Sequence, residues 1–355
     1  MTTREIDGGR MEALAGRMIA DLGGAWSVPL VRMGERLGLY RSLHGDGPAT
    51  SAELAGRLGL DERYVREWLG HQAASGYVEY EPETARFSIP AEQAAVFVDE
   101  DSPFFMMGAF DAAAAMVEGA DRVEDAFRHG GGVHYGDQGP CLFCAIARFF
   151  RPTYRASLVG DWLPALDGAV EKLRNGGRVA DVGCGHGHST IMIAEAFPEA
   201  EVVGFDFHEG SVEAARRHAQ AHGVADRVRF EVATAKDFGG GPYDLVACFD
   251  SLHDMGDPVG ALHHIRSRLA PDGHLMAVEP MAADRLEDDL HPIGRMNYAA
   301  STLVCVPTSK AQEVGLALGA TAGETRLREV IAEGGFGTVR KAAETPFNLV
   351  LEARP

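Results

Sequence analysis

Apolar residues recur at helical spacing along the first part of the chain. Leu14, Met18 and Leu22 predict one helix between Met11 and Leu43, and Pro29 is placed to start a second carrying Val31, Leu37 and Leu39. The stretch SAELAGRLGL, Ser51 to Leu60, predicts a short helix with Ser51 as its N-cap and Leu54 and Leu58 inward. Gly59 breaks it, and a further helix runs from Asp61 to about Ser75. Two short strands then flank a turn at Pro82 to Thr84 in GYVEYEPETARFSIP.

Residues 101 to 165 are dense in Phe, Tyr and Met. A Gly-rich run from His129 to Pro140, HGGGVHYGDQGP, interrupts their helical pattern and predicts a connector or lid. From Gly177 onward the period changes. Apolar runs at Arg178–Val182, Ala200–Phe205, Val228–Val232, Leu245–Phe249 and His274–Val278 read as buried strands. Helices fit between and after them at Ser189–Phe197, Ser211–His222, Asp257–Leu269 and Arg326–Glu333, with a last strand pair near Thr338–Ala342 and Asn348–Glu352. This alternation predicts an α/β fold, a parallel sheet with helices on both faces. Three parts follow: a mainly helical domain over 1–100, a connector over 101–165 and the α/β domain over 166–355.

The composition, 46% hydrophobic and 24% charged, excludes a disordered chain, so all three parts should fold. Thirty-three Lys plus Arg against 52 Asp plus Glu leave a net charge of -19, which repels phosphate backbones and argues against a nucleic-acid partner. The longest apolar stretch, Pro103 to Met116, contains Asp111 and is shorter than the roughly 20 residues a bilayer needs, so no membrane partner is expected. Five cysteines, at 141, 144, 184, 248 and 305, are an odd number in a long chain, and the first residues show no secretory pattern. A cytoplasmic location is expected.

The strand RVADV runs into GCGHGHS, which puts Gly183, Gly185 and Gly187 in a tight connection where backbone can approach a ligand closely. Nineteen residues after Gly187 the next strand ends at Asp206, a carboxylate able to accept hydrogen bonds from both ribose hydroxyls. A nicotinamide dinucleotide loop, GxGxxG, would need glycine where His188 stands, and a pyrophosphate would face an acidic setting. With Asp181 two residues ahead of it, the GxGxG loop instead resembles motif I of the class I S-adenosylmethionine-dependent methyltransferases.

That resemblance covers roughly residues 165 to 355 and implies a Rossmann-like seven-stranded sheet. It makes Asp181, Gly183, Gly185 and Gly187 the cofactor loop, Asp206 the ribose acid and Phe207 a ring packed on adenine. Thr234, Ala235 and Lys236, with Asp237, would read the adenine edge. YDLVACFDSLHDMGDP is similar to motif IV of the family, with Phe249 and Asp250 beside the methionine part of S-adenosyl-L-methionine. A turn at Ala270–Gly273 and the closing pair TVRKA and FNLVLEA fit the same fold. The N-terminal helix, turn, helix and strand pair resemble a winged helix. Such a domain ahead of this fold is the layout of small-molecule O-methyltransferases, where it serves for dimerisation. The run GGGVHY is similar to actinobacterial methyltransferases of that architecture. The implied activity is methyl transfer to a small-molecule acceptor, on oxygen first and on nitrogen or sulfur as alternatives, in a homodimer without a metal.

His253 is the candidate base, since His-Asp at 253 and 254 falls where related plant enzymes place a catalytic His-Asp. The context MetGlyAspPro departs from theirs, and a role in capping the next helix or shaping the loop stands beside it. Tyr135 and His134 could close over the methyl donor or pack as lid. His186 and His188 could touch the cofactor or face solvent. Glu279 could face the acceptor or end its strand. Arg295, Asn297 and Tyr298 could line a cavity or cover the sheet. Cys141 and Cys144, spaced CxxC, have no second pair to complete a zinc site and read as buried thiols, and Cys184 as a small residue near the cofactor.

The rival function is a transcription regulator whose winged helix reads DNA while the α/β domain senses S-adenosylmethionine. Residues 50 to 90 carry four arginines, Arg57, Arg63, Arg66 and Arg86, against seven carboxylates, which disfavours contact with phosphates.

Overall fold

The computed structural model describes residues 6–355, apart from the side chains of Pro140 and Cys141. Two compact units are present, one ending at Ala114 and the other spanning Ala115–Pro355.

The first unit contains α1 (Gly8–Arg36), α2 (Leu39–Gly45), α3 (Ser51–Leu58), α4 (Glu62–Ala74), an antiparallel pair β1 (Glu79–Glu81) and β2 (Arg86–Ser88), and α5 (Ala91–Phe97). Val31, Leu39, Tyr40, Leu54, Leu69 and Phe97 form its core. Pro29 does not start a helix: it lies inside α1, which continues because Val31 and Gly34 are buried beyond it. A Cβ on Gly34 would stand 2.4 Å from the Trp68 ring and 2.7 Å from Tyr40, so the backbone itself packs there. The cap of α3 is Thr50 rather than Ser51. Thr50 Oγ1 accepts from the Glu53 N–H at 3.3 Å, and Glu53 Oε2 accepts from the Thr50 N–H at 2.9 Å, a reciprocal pair that Ser51 is one residue too late to make. The Ser51 hydroxyl bonds Glu62 instead.

The expected connector is not a unit of its own. α6 (Met107–His129) runs across the boundary at Ala114, and Tyr154, Leu158 and Trp162 belong to the core of the second unit. After α6 come α7 (Pro140–Ser157), a π-helical turn at Leu158–Trp162 and α8 (Ala169–Arg174).

The sheet of the second unit comprises β3 (Arg178–Val182), β4 (Glu201–Asp206), β5 (Val228–Val232), β6 (Tyr243–Phe249), β7 (Leu269–Pro280), β8 (Thr338–Glu344) and β9 (Asn348–Arg354). Their order is β5-β4-β3-β6-β7-β9-β8, with β9 antiparallel to β7 and β8, and the other pairs parallel. Ala270–Gly273 lies within β7 rather than in a separate turn, opposite a register shift between Tyr243 and Leu245.

Alternate side chains on each strand serve opposite faces. Val179, Leu245, Ala247 and Val278 pack with α7, α8, α9 (His188–Ala196) and α10 (Glu209–Ala221), while Ala180, Val182, Val246 and Ala277 pack with α11 (Pro258–Arg268) and α14 (Gly323–Glu333). Between β7 and α14 lie α12 (Pro292–Ala300) and α13 (Val306–Lys310). The chain moves outward from β3 to β4 and β5, then returns to the other side for β6 and β7. That reversal leaves a crevice at the carboxyl ends of β3, β4 and β6, the place where open α/β sheets hold ligands.

Candidate active site

A cavity of about 390 Å³ occupies this crevice. β3 is buried up to Val182 and ends at Gly183, whose φ of +80° turns the chain beside β6: a Cβ there would stand 2.7 Å from that of Ser251. Gly187, at φ +77°, starts α9 and fits under the Phe230 ring, which a Cβ would approach to 2.7 Å. Gly183 and Gly185 line the cavity, whereas Gly187 does not and serves the packing of α9.

Asp181 is wholly buried and is likewise not a lining residue. Its Oδ2 accepts from the hydroxyls of Ser189 and Thr190, both at 2.6 Å, tying strand to helix, while Oδ1 has no partner. Burial pushes its carboxyl up to about 6. Asp206 does line the cavity, and its two oxygens accept from the backbone N–H of Gly185 at 2.9 Å and of His208 at 2.8 Å. A carboxylate has about four lone-pair positions, so two stay open. Burial raises this acid despite both bonds.

Phe207, Thr234, Ala235, Lys236, Phe249 and Tyr135 all line the cavity. Thr234 is held by Asp237, through its N–H at 2.7 Å and its hydroxyl at 2.8 Å. Lys236 is taken by Asp257 at 3.1 Å and Glu313 at 2.8 Å. Tyr135 stands 4.3 Å from Phe143 and 5.8 Å from Phe207 between ring centres, and burial raises its phenol. The segment carrying it is pinned to α13: Val133 N–H donates to the Pro307 carbonyl at 3.0 Å and Gln138 Nε2 to the Thr308 hydroxyl at 2.7 Å.

His253 is not a lining residue, although Asp254 and Met255 are. The imidazole is buried, with Nδ1 2.5 Å from Glu279 Oε2 and Nε2 3.3 Å from Asp254 Oδ1. Burial opposes its protonation, but the two carboxylates outweigh it and hold the ring well above its ordinary value. Cys305 completes the group, its sulfur within 4.8 Å of ligand atoms on His253 and Asp254. Glu279 is fully buried and faces this cluster, not the cavity.

His186 and His188 line the cavity, and burial lowers them to about 4 and about 3, so both rings are neutral. Cys184 also lines it, its thiol raised by burial. Cys144 is exposed rather than buried, and the Cys141 side chain lies outside the described residues. Arg295, Asn297 and Tyr298 are not lining residues; Asn297 Nδ2 donates to the Met281 carbonyl at 2.8 Å. Phe143, Ile146, Ala147, Phe150 and Tyr154 lie on one stripe of α7, inside the aromatic-dense stretch that the sequence marks. One wall escaped the sequence reading: Thr308, Gln312 and Glu313 come from a segment with no local signal.

A family model described as "Methyltransferase domain" matches residues 173–335, and an "Rv2258c-like winged HTH domain" matches residues 25–98. The chain carries a methyltransferase domain behind a winged-helix domain. O-demethylpuromycin-O-methyltransferase of Streptomyces alboniger is 31% identical over 189 residues, covering 50% of this chain and 45% of that one. The structure of the mitomycin 7-O-methyltransferase MmcR matches at a TM-score of 0.70 and 21% identity, over 98% of this chain and 100% of that one. An O-methyltransferase from neocarzinostatin biosynthesis, solved with S-adenosyl-L-homocysteine and 1,4-dihydroxy-2-naphthoic acid, matches at 0.63 and 19% identity, over 95% and 98%. The chain spans about half or less of the length of the curated relatives it matches. The methyltransferase domain takes S-adenosylmethionine as cofactor, and the residues present fit it: open lone pairs on Asp206 and an aromatic-lined crevice of nucleoside size.

Proposed function

We infer that the chain transfers a methyl group from S-adenosylmethionine to an oxygen of a small aromatic acceptor, with the buried His253–Glu279 pair beside the cavity as the observation that carries the reading. When bound, S-adenosylmethionine supplies a methyl on positively charged sulfur for in-line attack. Asp206 holds the ribose hydroxyls, Gly183 and Gly185 let the nucleoside lie against the backbone, and Asp181 keeps that loop in shape. Phe207 and Tyr135 flank the base, whose edge meets Thr234, Ala235 and Lys236. Phe249 packs beside the reacting end. Holding nucleophile and electrophile in line supplies most of the rate, and the aromatic wall keeps water out.

A phenolic acceptor, with a pKa of about 10, has to lose its proton, and His253 receives it at Nε2 by way of Asp254, the cavity-lining carboxylate 3.3 Å from that nitrogen. Glu279 fixes the ring by accepting from Nδ1–H. The neocarzinostatin-pathway neighbour was solved with 1,4-dihydroxy-2-naphthoic acid, a hydroxylated aromatic, which supports that class here.

The regulator reading is disfavoured by the winged helix itself. Arg63, Arg66 and Arg86 are each paired with a glutamate and Arg57 bonds the carbonyls of Gly47 and Pro48. A homodimer is supported by exposed apolar residues on α1, and a cytoplasmic setting by free thiols at Cys144, Cys184, Cys248 and Cys305. Incubating the protein with methyl-labelled S-adenosylmethionine and a panel of hydroxylated aromatics tests the reading: label recovered in a methyl ether supports it, and failure to bind the nucleoside at all would end it.

A further inference from the structure

Three electron-pair donors converge behind the cavity wall. His253 and Asp254 end the short turn Leu252–Asp254 that follows β6, and Cys305 ends a π-helical turn, Ser301–Cys305, between α12 and α13. One ligand atom from each of His253, Asp254 and Cys305 lies within 4.8 Å of the other two. His253 and Cys305 are buried, and Asp254 borders the cavity, which gives the group a way in from solvent.

The protons in this group leave room for a metal. Glu279 accepts from His253 Nδ1–H, so the ring turns its other nitrogen, Nε2, toward Asp254 Oδ1 at 3.3 Å. That oxygen is buried and has no hydrogen-bond partner among the described residues. A neutral imidazole and a carboxylate are both acceptors there, with the Cys305 sulfur as the third. One proton can satisfy one pair of them, whereas a divalent cation satisfies all three. It would also offset the excess of acids, because Asp254, Glu279 and the thiol surround a single base.

The donor set selects the metal. Imidazole, thiolate and carboxylate together suit zinc, whereas magnesium and calcium take oxygen ligands. Zinc bonds of about 2.0 to 2.3 Å at tetrahedral angles hold ligand atoms about 3.3 to 3.7 Å apart. Nε2 and Oδ1 already stand at that spacing, and rotation about the Cys305 Cα–Cβ bond brings the sulfur closer. A carboxylate on the far nitrogen, as Glu279 provides, is the arrangement that orients metal-bound histidines.

We propose that His253 Nε2, Asp254 Oδ1 and Cys305 Sγ form a zinc-type metal site reached through the cavity. Binding releases the thiol proton and any proton on Nε2 to solvent, and occupies the nitrogen that would otherwise take the acceptor's proton. Zinc therefore halts methyl transfer, a consequence that rests on the base assigned above, whereas the site itself does not.

Titration of the metal-free full chain with Co²⁺, without acceptor, provides the test. The wild type should bind one Co²⁺ and show a thiolate-to-cobalt charge-transfer absorption that added Zn²⁺ abolishes and Mg²⁺ leaves unchanged. Cys305→Ser should lose the absorption, while Cys144→Ser, which removes the exposed thiol, should keep it. Asp254→Asn, at the cavity edge, should weaken Zn²⁺ about tenfold or more, and Glu279→Gln about 10- to 100-fold. Calorimetry with S-adenosylhomocysteine checks that each variant is folded and reads the nucleoside site separately. No absorption in the wild type, or one that survives Cys305→Ser and disappears in Cys144→Ser, would overturn the metal site while leaving the nucleoside reading intact. Undiminished methyl transfer by the zinc-loaded protein would overturn the block.

Discussion

Glu279 Oε2 lies 2.5 Å from His253 Nδ1, and Glu279 Oε1 accepts from the Leu252 N–H at 3.0 Å, so one buried carboxylate fixes both the ring and the turn that carries it. That arrangement puts the proton on Nδ1 and leaves Nε2 to exchange protons. His253→Ala should lower kcat by about 10² to 10⁴ with cofactor affinity nearly unchanged. Glu279→Gln should lower kcat as well, because the amide can donate to Nδ1 and select the wrong tautomer. Wild-type turnover in both variants would retire the base.

The same pair sets a pH dependence. Burial opposes protonation of His253, but Asp254 and Glu279 prevail and raise its pKa well above 6.5. A base works in its deprotonated form, so kcat/KM should still be climbing with pH above neutrality, and Asp254→Asn should move that limb to lower pH. A profile already flat at pH 6.5 would place the proton acceptor elsewhere.

Asp206 ties the glycine loop to β4 through Gly185, and its remaining lone pairs are those the proposed function gives to the ribose. Asp206→Ala should weaken both S-adenosylmethionine and S-adenosylhomocysteine by about 2 to 3 kcal/mol, since each carries the same ribose. Calorimetry showing wild-type affinity would mean the ribose lies elsewhere.

The parallel sheet was legible because β3, β4 and β6 are short apolar runs separated by helical periods, and part of the cavity lining because Gly183 and Asp206 sit at strand tips. Asp181 and Gly187 were legible as motif members but not as supports, since only packing reveals that Asp181 bonds Ser189 and Thr190 and that Gly187 fits under Phe230. Helix starts were blurred by one residue at Thr50, where two adjacent hydroxyls compete and the position of Glu53 decides. The wall at Thr308–Glu313 and the bond from Asn348 to Asp250 join residues far apart along the chain, and no local pattern encodes either.

Two glycines of one loop should respond differently. Gly187→Ala forces a Cβ to 2.7 Å from Phe230 at φ +77° and should cost about 2 to 5 kcal/mol of stability in urea unfolding. Gly185→Ala meets nothing within 4 Å at φ +52°, should cost about 1 to 2 kcal/mol, and should act mainly on cofactor affinity because Gly185 lines the cavity. Equal stabilities of the two variants would contradict this division.

On α1, Met11, Leu14, Met18, Ile19, Leu22, Trp26 and Met33 are all exposed. At 100° per residue they fall within roughly 140° of arc, one continuous apolar face on a 29-residue helix. A face of that extent is unfavourable in water and suits the same helix of a second copy, whose stripe matches it by symmetry. The wild type should therefore sediment as a dimer, and Met18→Glu combined with Leu22→Asp should release a folded monomer, because neither side chain belongs to the unit's core. If the wild type sediments as a monomer at micromolar concentration, the stripe has another occupant and the homodimer is refuted.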